Sequence, residues 1–372
     1  MVSHRLGIWF PSRLGALLMA LAAALSIAIP VPAWGISSHP APRQFTAMTQ
    51  NLYLGANLVP LFGLKGQDLI EAAAEVYAHM EQTNFPARAE AIAREIAGKG
   101  GPVAVGLQEV ALWQQGPDPE HLEPTYDFLK ILLQALADEG LQYRTAVKVD
   151  NFSGALPIEL DLSLWASFTQ RDAIIVRSDL PLSMLKASNP TAQNFEASFY
   201  VPLGDDLIEV QRGWVTVDVK FRGKTYQVAD THLEAFDSRV RNAQAVELSD
   251  SLAQSPLPVV LVGDLNSQPD DVTGPYGILA DAGFVDSWTE TMGNAPGDTS
   301  GQPDDLDCTL PSTIDHRIDY VLHDEDGYVD GVVGSGDVVG EEPGDCTDTD
   351  PPLWPSDHAG VVITLAIATP ES

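Results

Sequence analysis

The sequence predicts an α+β fold in which largely antiparallel sheets are covered by helices. Apolar runs of strand length stand among stretches of helical periodicity, without regular alternation of the two. Hairpins sit beside helices: "WVTVDVKF" (214–221) meets "TYQVADTHL" (225–233) across Arg222-Gly223, a two-residue turn.

In chain order, "FTAMTQNLYLG" (45–55) reads as a strand entering a loop at Gly55. "GQDLIEAAAEVYAHMEQ" (66–82) is Ala-rich and helical, with Asp68 and Glu71 spaced as a capping pair. Pro86 restarts the helix, and residues 87–101 place Ala91, Ile92, Ile96 and Ala97 on one face. "PVAVGLQEV" (102–110) is an apolar strand ending at Glu109. "TYDFLKILLQALADEG" (125–140) is an amphipathic helix with Gly140 just past its end. "DAIIVRS" (172–178) belongs to a β-rich middle, and residues 238–255 are helical. "PVVLVGDLNSQP" (258–269) is a buried strand entering a turn. A short helix over 274–283, a strand "RIDYVLH" (317–323) and a strand "AGVVITLAIA" (359–368) complete the pattern. Residues 294–307 and 334–356, rich in Gly, Pro, Asp and Ser, read as loops. "HDEDGYVDG" (323–331) lacks the full spacing of a calcium loop and reads as a polar hairpin tip.

The first 35 residues stand apart. His4, Arg5 and Arg13 precede an uncharged stretch over 14–34, the pattern of a secretory signal cleaved near 33–38. A retained anchor is the alternative, disfavoured by Pro30 and Pro32 at the far end of the run. Residues 36–372 then form the functional domain, expected outside the cytoplasm, extracellular or periplasmic. Export agrees with the two cysteines, Cys308 and Cys346, which an oxidising compartment is expected to join. A bridge closing that loop stabilises by about 3–4 kcal/mol in the chain-entropy model. The net charge of −32 argues against tight, non-specific binding of a polyanion such as long nucleic acid. It leaves room for a site where a metal ion screens one phosphate.

Polar side chains gather at or just past the strand ends: Asn51, Glu109, His232, Asp264, Asn266, Asp319 and the pair Asp357-His358. Singly, each has a structural reading as a turn former, a cap or a satisfied core histidine. Strand ends on one edge of a sheet converge, and sites are built on the loops that such a scaffold holds.

Their local contexts resemble, in order, those of the endonuclease/exonuclease/phosphatase superfamily. This family includes the pancreatic-deoxyribonuclease-like, abasic-site-endonuclease-like and neutral-sphingomyelinase-like enzymes. "TQNLYLG" resembles the strand carrying a metal-site Asn, here Asn51, and "VAVGLQEV" the strand with a metal-ligating Glu, here Glu109. "QVADTHLEA" is similar to the segment with a catalytic His, here His232, and "LVGDLNSQP" to the "GDxN" signature, here Asp264 and Asn266. "HRIDYVL" resembles the strand whose Asp supports a histidine, here Asp319, and "PSDHAGVV" the closing "SDH" motif, here Asp357 and His358.

The resemblance implies one domain folded as a four-layer αββα sandwich of two mostly antiparallel, mixed sheets flanked by helices. It implies a metal-dependent phosphohydrolase that splits a phosphodiester or phosphomonoester with water. Oxygen ligands Asn51, Glu109 and Asp357 suit Mg²⁺, with Mn²⁺ or Ca²⁺ as alternatives. Asp264 would orient or deprotonate water, Asn266 would hold that water or a phosphate oxygen, and Asp319 would fix and charge His358. His232 would bond a phosphate oxygen or protonate the leaving group. Arg171, Arg212 and Arg317 are candidates for phosphate contact. At "QRDAIIV" the chain departs from the family, placing Asp172 where relatives carry Gly or Asn. Asp172 is expected either to pair with Arg171 or to ligate a second metal. The substrate stays open among nucleic acid, phospholipid and a small phosphate ester. "LPIELDLSLWASF" (156–168) is a candidate for contact with a bilayer surface. A monomer is expected. A non-catalytic secreted binding protein on the same fold is the alternative outside this class.

Overall fold

The run Ala104-Val105-Gly106-Leu107-Gln108 is buried at every position, which a strand allows only when both of its faces are covered. The computed structural model, which describes residues 43–324 and 333–367, supplies both covers. The proposed export signal and the hairpin tip at 325–331 lie outside the described residues.

In chain order the strands are β1 (Arg43–Asn51), β2 (Ala104–Gln108), β3 (Leu112–Gly116), β4 (Glu123–Asp127), β5 (Tyr143–Pro157), β6 (Trp165–Arg177), β7 (Leu185–Asn194) and β8 (Phe199–Leu203). There follow β9 (Asp206–Val210), β10 (Gly213–Phe221), β11 (Lys224–His232), β12 (Val259–Asp264), β13 (Phe284–Asp286), β14 (Asp319–Asp324), β15 (Val333–Val339) and β16 (Gly360–Ile367). The helices are α1 (Gly66–Gln82), α2 (Phe85–Gly98), α3 (Phe128–Asp138), α4 (Ser238–Leu252), α5 (Pro275–Asp281) and α6 (Ser287–Met292).

The first sheet runs β15-β16-β1-β2-β6-β3-β4, with β5 also on β6, and the second runs β13-β14-β12-β11-β10-β7. Pairing is antiparallel except between β1 and β2 and between β11 and β12. The period of two along β1 sends Ala47 between the sheets and Met48 beneath the helices. Ile92 and Ile96 of α2 and Leu132 of α3 bury the outer face of the first sheet. Ile174, Val217, Val228 and Val262 fill the space between sheets. Ala245 and Leu248 of α4 with Leu279 of α5 bury the outer face of the second. The result is the αββα sandwich.

Several local expectations need correction. Asp68 and Glu71 do not cap α1; the residue before it, Lys65, makes no side-chain cap, and Asp68 already lies within the first turn. Residues 125–127 extend as β4 because Leu112 to Gln115 of β3 hold that segment antiparallel. The loop-like stretch 334–356 begins with β15, whose Gly- and Asp-containing sequence is carried by pairing with apolar β16. Residues 156–168, the candidate for bilayer contact, end β5, turn, and begin β6.

The turn between β10 and β11 is as read, with Arg222 (φ 48°) and Gly223 (φ 95°) both left-handed. Cys308 and Cys346 are joined in a disulfide that packs with Tyr53, Leu306, Leu353 and Trp354. It links two loops poor in regular structure and closes a span of 38 residues, which limits the freedom of the unfolded chain.

Arg88 is fully buried and is a hub for loops near the site. It donates to the carbonyls of Thr83 (2.8 Å), Leu52 (2.7 Å), Pro355 (2.9 Å) and Tyr53 (3.1 Å). Arg88→Met should strand these acceptors without water and lower stability by about 3 kcal/mol. Chemical denaturation with an unchanged m-value would check it.

His323 of β14 is buried beside Ser287 Oγ (2.9 Å) and Glu290 (3.5 Å). Burial pushes its pKa down to about 4. Below the unfolded histidine value of about 6.5 the unfolded chain takes up the proton first, so stability falls as pH drops from there towards 4. His323→Gln should flatten the thermal midpoint over that window. An equally steep decline in the variant would refute this account.

Candidate active site

Strand register assembles one side of the site. The β11–β12 pairing sets His232 beside Asp264, and the β12–β14 pairing sets Asp264 beside Asp319, so three chain-distant residues form one row. Gly263 permits this: its φ is 147°, and a Cβ there would lie 2.2 Å from the Thr231 carbonyl oxygen. The first sheet brings the other side. Asn51 ends β1 opposite Gln108 of β2, and Glu109 follows in a left-handed turn (φ 55°). Left-handed conformation is costly for a side chain as large as Glu and marks a position held by its surroundings. Leu54 N–H fixes one Glu109 oxygen at 2.8 Å. Asn266 is also left-handed (φ 49°), and its amide donates to Leu233 O at 3.0 Å.

Asp264 is the centre. Its Oδ1 accepts from Asn266 N–H (2.9 Å). Its Oδ2 accepts from Asn51 Nδ2 (3.2 Å), across the two sheets, and lies 3.4 Å from His232 Nε2 and 3.9 Å from His358 Nδ1. Burial, with repulsion from Asp319, raises its pKa to about 7. His232 Nδ1 faces the donors Arg212 Nη1 (3.2 Å) and Gln170 Nε2 (3.5 Å), which leaves the proton on Nε2, towards Asp264. Burial, then Arg212 and His358, hold His232 well below the usual histidine range, so it is neutral.

His358 is the opposite case. Burial opposes its charge, but Asp319, Asp357 and Asp264 outweigh that and hold it well above the usual range. Its Nδ1 donates to Asp319 Oδ2 at 2.9 Å, fixing the ring. Asp319 Oδ1 is buried without a partner among the described residues, so this carboxylate is committed to His358. Asp264, Asp319 and His358 also bring three ligand atoms within 4.8 Å of one another, a spacing compatible with an ion. The short Asp319–His358 bond favours the ion-pair reading of those two.

A cleft of about 370 Å³ opens on these groups, lined by Glu109, Gln170, Arg212, His232, Asp264, Asn266, Asp357 and His358, among others. Glu109 and Asp357 face it together. Burial raises Asp357 to about 7, with His358 opposing and Glu109 adding repulsion. These carboxylates are hard oxygen donors, whereas Asn51 does not line the cleft and its Oδ1 already accepts from Tyr53 N–H (2.9 Å); none of the described residues lining the cleft is a lysine. The donor set therefore fits a hard divalent cation.

Two predicted phosphate contacts are corrected. Arg171 is turned away, donating to the carbonyls of Val110 (2.8 Å) and Ala111 (3.1 Å) and to Asp127 (2.6 Å). Arg317 pairs with Asp286 (2.8 Å) and Thr289. Neither lines the cleft; Arg212 does. Asp172 does not pair with Arg171, because neighbours on a strand face opposite ways. It is buried, bonded to Asn151 Nδ2 at 2.6 Å, with its pKa raised by burial to about 7. Gln170 and Asp304 are cleft residues that the sequence did not mark. Gln170 has only its place two residues before Asp172 as a signal, and Asp304 sits in an Asp-rich loop.

The comparisons with known proteins agree with this fold. The family model described as "Endonuclease/Exonuclease/phosphatase family" matches residues 48–358. No curated protein matches the sequence. Among solved structures, an endonuclease/exonuclease/phosphatase family protein from Bacteroides thetaiotaomicron is 17% identical with a TM-score of 0.53, over 88% of this chain and 99% of that one. A mannosyl-6-phosphatase from the same organism is 16% identical with a TM-score of 0.50, over 86% and 98%. D. rerio TDP2 complexed with a single-strand DNA product is 15% identical with a TM-score of 0.51, over 86% and 98%. At such identities these likenesses speak for the fold, and the family match extends it to the chain's chemistry. The chain belongs to the endonuclease/exonuclease/phosphatase family, whose members are hydrolases acting on phosphoester bonds.

Proposed function

We propose that this is a secreted, metal-dependent phosphohydrolase acting by direct attack of water. The observation that carries the reading is Asp264 Oδ2, which meets Asn51, His232 and His358 at one point of the cleft. A buried carboxylate with its pKa near 7 is poised to take a proton at neutral pH. Asp264 orients and deprotonates the water, and the Asn266 segment holds it against the phosphorus. Charged His358, held by Asp319, donates to the phosphate oxygen on which charge develops. Neutral His232 offers its Nε2 proton towards the same centre, its ring held from behind by Arg212, which is itself 3.6 Å from the buried Glu234. Glu109 and Asp357 would hold the cation, Mg²⁺ or alternatively Mn²⁺ or Ca²⁺, with Asn51 steadying Asp264 beside it. Bound there, the cation would neutralise phosphate oxygens and stabilise the leaving oxygen.

Secretion is supported by the uncharged run at 14–34 and by the single disulfide. The deciding measurement is hydrolysis of bis(p-nitrophenyl) phosphate with Mg²⁺, Mn²⁺ or Ca²⁺. Turnover should disappear with a chelator and return with the ion. Turnover indifferent to chelation would sink metal dependence, and no turnover of either this diester or the monoester p-nitrophenyl phosphate with any of the three would sink the reading as a whole.

A further inference from the structure

A second cavity, of about 450 Å³, opens beside the cleft between α1 and the β5–β6 hairpin. Leu69, Ala73 and Val76 of α1 form one wall, and Leu156, Trp165 and Phe168 form the other. The two spaces share lining: Leu58, Leu61, Phe152, Phe168 and Leu203 border both. Apolar side chains thus run from the cleft that holds Asp264 to this cavity.

We propose that this cavity holds the hydrocarbon chain of the substrate, and that the substrate is an amphiphilic phosphodiester of the phospholipid class. The inference rests on the phosphoesterase reading of the adjoining cleft. The polar groups of the aromatic walls are already spent. Trp113 Nε1 donates to Leu54 O (2.9 Å), Trp165 Nε1 to Leu162 O (3.3 Å), and Tyr77 Oη to Thr125 Oγ1 (3.1 Å). Ser167 Oγ donates to Gln114 and Ser153 Oγ bonds Thr169. A sugar or a nucleobase entering here would lose its own hydrogen bonds to water and find few in return. A methylene chain loses none and gains from leaving water. Asp206, on the cavity lining beside the Lys65–Asp205 pair (2.8 Å), and the net charge of −32 oppose a polyanion. Nearby apolar side chains face solvent: Leu160 and Leu162 in the turn after β5, and Leu207 of the β8–β9 hairpin, are 56%, 51% and 66% exposed. Such a rim suits a substrate drawn from an apolar surface.

The test uses the full chain with two cavity-filling variants, Ala73→Phe within α1 and Ala155→Trp on the more exposed β5. Dodecylphosphocholine below its micelle concentration is titrated while Trp113 and Trp165 fluorescence is followed. Saturable binding is expected, weakened at least tenfold in each variant that retains the wild-type circular dichroism. The ratio of kcat/KM for a long-chain phosphatidylcholine over bis(p-nitrophenyl) phosphate should fall at least tenfold as well. Absence of saturable binding, or equal binding in folded variants, overturns the proposal. So does a fluorescence signal that follows protein concentration alone, which would assign the cavity to a second copy of the chain. Binding without hydrolysis of any phospholipid overturns the substrate class. Failure on the aryl diester alone counts against the phosphoesterase reading and leaves the binding result to judge the cavity.

Discussion

Asp264→Asn should lower kcat/KM for an aryl phosphodiester by about 10³–10⁴-fold, in the range of a lost general base. The substitution keeps the shape and replaces one acceptor oxygen by an amide donor. Either orientation of that amide disturbs the set of donors from Asn266 N–H, Asn51 and His232. A purely structural Asp264 would instead lose stability with activity. The pKa near 7 argues the reverse. A carboxyl whose folded pKa lies above its unfolded value of about 3.9 disfavours folding progressively as pH rises through that interval. Asparagine does not ionise, so the chelated variant at pH 8 should melt above the chelated wild type. Steady-state kinetics with calorimetry decide the matter: a variant that is active, or that is inactive only because it melts lower, contradicts the role given to Asp264.

His358→Ala should cost about 10²–10³-fold in kcat, the range for one lost donor to developing negative charge. Asp319→Asn should cost less and change the pH profile. In the wild type His358 carries its charge well past the usual histidine range, because Asp319, Asp357 and Asp264 outweigh the effect of burial. A raised folded pKa means the charged form is complete at low pH and is lost as pH climbs through that raised value. The alkaline limb of the rate profile should therefore lie high in the wild type and move to lower pH in Asp319→Asn. A pH-independent drop of the whole curve would show that Asp319 supports the fold without setting the charge of His358.

The sequence exposes the site well where a residue ends a buried strand. Val259 to Val262 can only be interior, so Asp264 just beyond them must emerge at a sheet edge. The same logic finds Asn51, Glu109, His232 and Asp319. It fails for arginines, whose long side chains reach several partners from one Cα. Arg317 stands just before β14 and Arg171 midway along β6, yet their guanidiniums are spent on carbonyls and carboxylates away from the cleft. Only register and face separate them from Arg212. Arg88 is hidden for a related reason: a charged residue on a helical repeat reads as solvated, and only the assembled loops supply its carbonyls. β15 is opaque because its pairing energy resides in β16, far along the chain.

The Asn51–Asp264 bond, like that from Gln108 Nε2 to Asp230 Oδ1 (2.6 Å), ties together two layers that otherwise meet largely by side-chain packing. Gly106 shows how close that packing is: a Cβ there would fall 2.3 Å from Val262 Cγ2 and 2.6 Å from Asp230 Oδ1. Reactivity at the rim thus becomes a gauge of slippage between the layers. A bulky side chain at 106, remote from any phosphate, would wedge them apart and silence the enzyme while each layer keeps its own ladder intact.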